Sequence, residues 1–217
     1  MKHKIFLVDD HPLVREWLTN LLHQQADLII CGEADDAAAA LAAISTTKPD
    51  LAIVDISLKH SSGLELIKDL KAQNPALPVL VLSMHDESLY AERVLRAGAH
   101  GYINKSETAQ KVVEAIRRVL NGKLYISEKV AEIMTTRAIA GRNTTSVSLA
   151  ELLSDRELEV FQKLGNGIGT RQIATDLSVS IKTVEVYCAR IKEKLNLTSA
   201  TSLLREAVRW VEANKHS

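Results

Sequence analysis

Apolar runs and amphipathic stretches alternate along the first half of the chain. The runs lie at 5–9, 28–34, 51–56, 78–83 and 101–105, with helical patterns near 12–24, 36–45, 63–73, 87–97 and 107–121. The segments IFLV, LAIV and VLVL are apolar without a break and rich in β-branched residues. Strands covered on both faces read this way, because neither face needs a polar residue. Strand and helix alternating five times predict an α/β domain built on a parallel sheet. Asn121-Gly122 supplies a stop for the fifth helix, since glycine enters the left-handed conformation of a helix end at no steric cost.

From 123 the pattern changes. Residues 127–140 have the makings of one more short helix, and Gly141-Arg142-Asn143-Thr144-Thr145-Ser146 is small and polar, a linker composition. Beyond 150 no run reads as a strand. Helical patterns near 155–164, 170–177, 181–194 and 199–213, broken at Asn166-Gly167 and Ser178-Val179-Ser180, predict a compact all-α module of four helices. The expected organisation is an α/β domain over 1–122, a linker over 123–150 and a helical domain over 151–217.

Composition narrows the class without choosing a function. The chain has 217 residues, 46% of them apolar, which suffices for two small domains with a core each. Lys and Arg number 27 and so do Asp and Glu, so net charge indicates no partner. Residues 151–217 hold 10 basic and 9 acidic side chains, against 14 and 16 within 1–125, so any nucleic-acid contact must come from local arrangement. Cys31 and Cys188 lie far apart, with neither metal-ligand spacing nor a disulfide framework. The first residues lack the pattern of a signal peptide and no stretch approaches a membrane span, so a cytoplasmic protein with no membrane partner is expected. No Walker motif, zinc-binding histidine pattern or nucleophile elbow is present, which argues against the common hydrolase and nucleotide-enzyme classes. Gly165-Asn166-Gly167-Ile168-Gly169 lacks the Lys-Ser/Thr of a phosphate loop and follows no strand, so it reads as a turn between helices.

Polar residues stand at the ends of the apolar runs. Asp9 and Asp10 follow IFLV, Asp55 follows LAIV, Ser83 follows VLVL and Lys105 follows GYIN. In an open parallel sheet the functional crevice lies outside the carboxyl ends of the strands, so these residues should converge on one rim. Three carboxylates packed together repel one another, and a hard cation such as Mg²⁺ would relieve the repulsion. Lys105 adds a positive point charge and Ser83 a hydroxyl for an oxyanion. Such a set suits in-line phosphoryl transfer, with Asp55 as acceptor because it stands alone at the end of a central strand. Each part has a plainer reading. Asp9-Asp10 ahead of Pro12 can cap a helix, and for that pair alone the cap is the better reading. Asp55 alone is a loop acid, and Lys105 alone a solvated lysine. The joint placement at successive strand ends favours a site.

Residues 1–122 resemble a receiver domain, on the strength of LVDDHPLVR, AIVDISL with SGLEL behind it, VLVLSMHDE and RAGAHGYINKS. The resemblance implies a flavodoxin-like five-stranded parallel sheet. It implies that Asp9 and Asp10 hold Mg²⁺, that Asp55 accepts the phosphoryl group and also binds the metal, and that the Ser57 main-chain carbonyl completes the protein ligands. Ser83 and Tyr102 would be a switch pair, and Lys105 would pair with the phosphoryl group. Two positions depart from the family pattern. Lys59 stands where many receivers have proline, so the loop is expected to turn at Ser61-Ser62-Gly63. Met84, bulky where many receivers are small, implies slow phosphotransfer or dephosphorylation.

In the C-terminal part, Ser154 with Glu157 is a capping-box pattern. A short helix opening at Arg171-Gln172-Ile173-Ala174 and a longer one over 181–195, with Val184, Ile191 and Leu195 on one face, fit helix-turn-helix geometry. The exposed face would hold Lys182, Thr183, Glu185, Val186, Ala189, Arg190 and Lys194. The cations and Thr183 suit phosphates, while Glu185, Val186 and Ala189 suit base edges. From charge alone a merely solvated face is the better reading. LSDRELEV, GNGIGTRQIATDL and SVSIKTVEVYCARIKEKLNL, however, resemble the LuxR-type helix-turn-helix at length. Tyr187, where histidine is frequent, and Cys188 are mild departures. Receiver, linker and this domain in order resemble a two-component response regulator of the NarL/FixJ class. That implies a non-enzymatic transcription regulator, with at most self-catalysed phosphoryl transfer and hydrolysis at Asp55. The implied partners are a sensor histidine kinase, promoter DNA and a second copy of the chain, with RNA polymerase a further candidate. Leu203, Leu204, Val208 and Val211 of the last helix suit either the dimer contact or an ordinary core.

Overall fold

The computed structural model describes residues 2–58, 61–140 and 149–214. Lys59 and the 141–148 part of the expected linker lie outside the described residues. The chain divides into two compact units, Met1–Arg142 and Asn143–Ser217.

The first unit runs β1 (His3–Val8), α1 (Pro12–His23), β2 (Leu28–Ala34), α2 (Ala37–Thr47), β3 (Leu51–Val54), β4 (Ser57–Leu58), β5 (Ser61–Ser62), α3 (Gly63–Gln73), β6 (Val79–Ser83), α4 (Glu87–Arg96), β7 (Gly101–Asn104), α5 (Ala109–Leu120) and α6 (Glu128–Ala140). Five strands form a parallel sheet in the order β2-β1-β3-β6-β7. Ile5, Leu7, Leu51, Ile53, Leu80, Leu82 and Ile103 bury one face of it against Leu18 and Leu22 of α1 and Val112, Ile116 and Val119 of α5. Phe6, Val8, Ala52, Val54 and Val81 are as deeply buried. Both faces are thus covered, as the unbroken apolar runs require.

Three of the strands, β1, β3 and β7, stop one or two residues short of the apolar-run boundaries, and the reason bears on function. Asp9, Asp55 and Lys105 still donate their main-chain N–H to the neighbouring strand, at 3.1 Å to Ala34, 2.8 Å to Val8 and 2.9 Å to Ser83. Asp9, Asp55 and Lys105 therefore stand one step past the last paired residue of their strands, on a fixed backbone, whereas Ser83 is the last paired residue of β6. The loop after Asp55 differs from expectation. Ser61 and Ser62 do not turn; they pair antiparallel with Leu58 and Ser57, and Gly63 opens α3. A Cβ on Gly63 would lie 1.9 Å from the Asp55 carbonyl oxygen, so only glycine lets α3 start there.

The first unit also extends past 122. Tyr125 bridges to Gly101 beside β7, its N–H donating to the His100 carbonyl and its carbonyl accepting from Tyr102. A helix then follows as α6, packed on α4 with Val130 buried. Much of the segment read as linker is thus part of the first unit.

The second unit holds α7 (Leu149–Leu152), α8 (Asp155–Gly165), α9 (Thr170–Asp176), α10 (Ile181–Lys194) and α11 (Ala200–Asn214). The four longer helices match the four periodic segments; the short α7, at the expected domain border, carries too few residues for a period to show. Leu158, Phe161, Ile173, Val184, Ile191, Leu203 and Ala207 form the buried interior, with Trp210 edge-on to Phe161 at 5.8 Å. A side chain on Gly165 would meet the Ala207 carbonyl oxygen at 2.4 Å, so this glycine sets how closely α8 and α11 approach. No helix among the described residues is long and apolar enough to cross a membrane.

Candidate functional site

The carboxyl edge of the sheet gathers Asp9, Asp10, Asp55 and Lys105 in one pocket. Lys105 Nζ lies 2.6 Å from a carboxylate oxygen of Asp9 and 2.6 Å from Asp55 Oδ2. All three side chains are nearly out of water, 4% exposed for each aspartate and 7% for the lysine. Burial and the neighbouring Asp55 charge push the Asp9 carboxyl above the usual range, against the pull of Lys105. Burial alone would lower the Lys105 ammonium, but Asp55 and Asp9 outweigh it and hold the lysine charged beyond its ordinary range. One cation thus serves two buried anions, with Asp10 beside them.

The helix-cap reading of the Asp pair fails on geometry. The N-cap of α1 is His11, whose side chain makes no capping bond, and Pro12 supplies the first turn. Asp9 Oδ1 instead accepts from the His11 N–H at 2.9 Å, while Arg15 donates to the Asp9 carbonyl at 2.7 Å. His11 adds a group that sequence reasoning passed over, its Nδ1 standing 2.6 Å from Asp10 Oδ1 and 3.4 Å from Asp9 Oδ1. Ligand atoms of Asp9, Asp10, His11 and Asp55 all lie within 4.8 Å of one another. The second oxygen of Asp55, Oδ1, is buried without a hydrogen-bond partner among the described residues. An oxygen-rich pocket with a surplus of negative charge fits a hard divalent cation.

Ser83 closes the neighbouring strand end, 1% exposed, its hydroxyl near the Tyr102 phenol but without a well-formed hydrogen bond among the described residues. Tyr102 is as deeply buried, and burial together with Asp55 pushes its phenol up, so it stays protonated. It donates to the main-chain carbonyl of His85 at 2.6 Å, and Asn104 Nδ2 donates to the same oxygen at 3.0 Å. The His85 ring bonds Ser57 Oγ at 2.8 Å and stacks on Tyr90 with centroids 4.5 Å apart. The loop between β6 and α4 is therefore tied both to β7 and to the loop after Asp55. Glu87, the first residue of α4, accepts from Ser127 Oγ at 2.7 Å, which extends the chain of contacts to the start of α6. His85 and Ser127 carry no sequence signal of this, because their partners are 28 and 40 residues away. Met84 is 70% exposed and is not packed into the pocket.

In the second unit, α9 and α10 meet through a tight turn. Leu177 caps α9, Ser178 adopts a left-handed φ of 52°, and Val179 N–H returns to the Ala174 carbonyl. Ser180 caps α10 by accepting from Thr183 N–H at 3.0 Å. The outer face of α10 exposes Lys182, Glu185, Val186, Ala189 and Arg190, while Val184 and Ile191 are fully buried beneath. Two of the expected contact residues are otherwise engaged. The Thr183 hydroxyl meets Ser180 Oγ at 2.8 Å, and Lys194 pairs with the buried Glu157 at 2.6 Å. Arg171 on α9 is also exposed. Leu203 and Val211 belong to the core, whereas Leu204 is 45% exposed.

The chain is similar to known proteins over both units. Residues 5–117 match the response regulator receiver domain, and 151–207 match the luxR family of bacterial regulatory proteins. The oxygen regulatory protein NreC of Staphylococcus epidermidis is 33% identical over 211 residues, covering 95% of this chain and 97% of that one. The RcsB response regulator of Salmonella typhimurium, in a structure concerned with its DNA interaction, superposes with a TM-score of 0.65 at 25% identity, covering 96% of this chain and 98% of that one. A structure of two RcsB dimers bound to two parallel DNAs has a TM-score of 0.58 at 25% identity, over 94% of this chain and 97% of that one.

Proposed function

The chain belongs to the response regulators that join a receiver domain to a LuxR-family DNA-binding domain and regulate transcription by binding DNA, and from that premise we propose how its own residues carry the signal. The phosphoryl acceptor is Asp55. Supporting this, its Oδ2 is fixed by Lys105 while its Oδ1 is buried and unpartnered, so one oxygen is held and the other is left to attack. A sensor histidine kinase supplies a phosphohistidine. The P–N bond breaks, a P–O bond forms at Asp55, and the imidazole leaves. Mg²⁺ held by Asp9, Asp10, Asp55 and the Ser57 carbonyl would neutralise charge on the phosphoryl oxygens. Lys105 already stands against Asp55 and pairs with the added negative charge. The buried Ser83 hydroxyl, which makes no well-formed hydrogen bond among the described residues, donates to a phosphoryl oxygen.

Movement of Ser83 pulls on the loop that Tyr102, Asn104 and Ser57 hold through His85, and so on α4 and α6. The output is dimerisation, with α10 presenting Lys182 and Arg190 to phosphates and Glu185, Val186 and Ala189 to bases of paired half-sites on promoter DNA. Lys194 contributes to this face only by giving up Glu157. The test is DNA binding with and without a small phosphodonor plus Mg²⁺, wild type beside Asp55→Asn. Tighter binding on phosphodonor in wild type alone supports the switch. Equal binding in all four conditions overturns it and leaves DNA binding without phosphate control.

A further inference from the structure

His11 stands at the acidic pocket with its Nδ1 turned toward the carboxylates, although its side chain is 63% exposed. Its ring nitrogen is one of four potential ligand atoms lying within 4.8 Å of one another, the other three being carboxylate oxygens of Asp9, Asp10 and Asp55. We infer that His11 is a metal-selecting residue, which makes the pocket a mixed nitrogen and oxygen site that holds a borderline first-row transition cation such as Co²⁺ or Mn²⁺ more tightly than Mg²⁺. This rests on the reading of the pocket as a cation site.

The chemistry is that of ligand preference. Mg²⁺ takes oxygen donors and water, and gains little from an imidazole. Mn²⁺, Co²⁺ and Ni²⁺ bind imidazole progressively better, following the general affinity order of divalent ions. A second observation points into the same cluster, the buried Oδ1 of Asp55, which no donor among the described residues satisfies. Apart from its contacts with the Asp9 and Asp10 carboxylates, the ring has no capping duty at the start of α1. The helix-capping position uses no side-chain bond from His11, and its contact with Asp9 Oδ1 is made by the backbone N–H, which any residue supplies.

The experiment is calorimetric titration of the untagged full chain with MgCl₂ and separately with CoCl₂, for wild type, His11→Gln and Asp55→Asn. Asp55→Asn removes a pocket ligand and so measures binding elsewhere on the chain, the other six histidines included. Wild type should bind Co²⁺ more tightly than Mg²⁺. His11→Gln should weaken Co²⁺ by about tenfold or more, the scale on which losing a group that supports a metal is felt, and leave Mg²⁺ unchanged. Unchanged Co²⁺ affinity in His11→Gln, or an equal fall for both metals, overturns the role of His11 and reduces its contact with Asp10 to an ordinary ion pair. If Asp55→Asn binds both metals as wild type does, the pocket is not the cation site and the preceding reading of it fails as well.

Discussion

Glu157 is 3% exposed, yet its carboxylate accepts from the Ser154 N–H at 2.7 Å and from Lys194 at 2.6 Å. Burial alone would push this carboxyl up; the bonds from Lys194 and Ser154 outweigh it and hold it below its free value of 4.5. A depressed folded pKa means that the pairing stabilises the unit fully above about pH 4.5, and that this contribution drains away as pH falls through the lower folded value. Urea unfolding of a Trp17→Phe background, followed by Trp210 fluorescence across pH 3–7, should show that acid limb. Lys194→Met should cost about 1–2 kcal/mol at neutral pH, discounted because Lys194 is 40% exposed, and should flatten the limb. The same pairing explains why sequence reading placed Lys194 on the DNA face. Its spacing along α10 is correct for that face, and nothing local announces that an acid 37 residues earlier claims it. In the receiver pocket the opposite holds. Asp9, Asp10, Asp55 and Lys105 meet in one pocket, because position at the end of a parallel strand fixes position on the rim.

Among the elements, α6 and the Tyr125 bridge change how signal can leave the receiver unit. The backbone of Tyr125 fits beside β7 only because residue 101 is glycine; a Cβ there would lie 2.6 Å from the Tyr125 carbonyl oxygen. Gly101→Ala must therefore displace the segment leading into α6. The expected result is faster amide exchange over 125–131 and a loss of about 1–3 kcal/mol in receiver stability, the usual scale of overpacking. Unchanged exchange would show that the bridge does not anchor α6. The long helices and the sheet strands were legible because their periods repeat over enough residues. The β4–β5 hairpin and α7 were not, since two to four residues carry no period, and Ser61-Ser62-Gly63 read as a turn on composition although Gly63 serves a close backbone approach.

For the whole molecule, neither unit carries a large net charge, so affinity for DNA cannot come from a general basic field. Under the proposed function, two copies bound at paired half-sites would supply it by adding two modest interfaces. Sedimentation velocity on the full chain should accordingly show a shift from monomer toward dimer with phosphodonor and Mg²⁺ in wild type and no shift in Asp55→Asn. A wild type that stays monomeric while its DNA binding tightens would place the switch within a single chain.

Sequence by itself determined the two-domain order, the parallel sheet, the helix-turn-helix pair and the rim residues, since all of these follow from hydrophobic period and from where polar residues interrupt it. Tertiary structure decided what lies between distant segments. It brought His11 into the carboxylate cluster, tied His85 to Ser57 and Tyr102, joined Ser127 to Glu87, and turned Lys194 inward to Glu157. These are contacts between single side chains far apart in sequence, and their geometry depends on packing that no local pattern encodes.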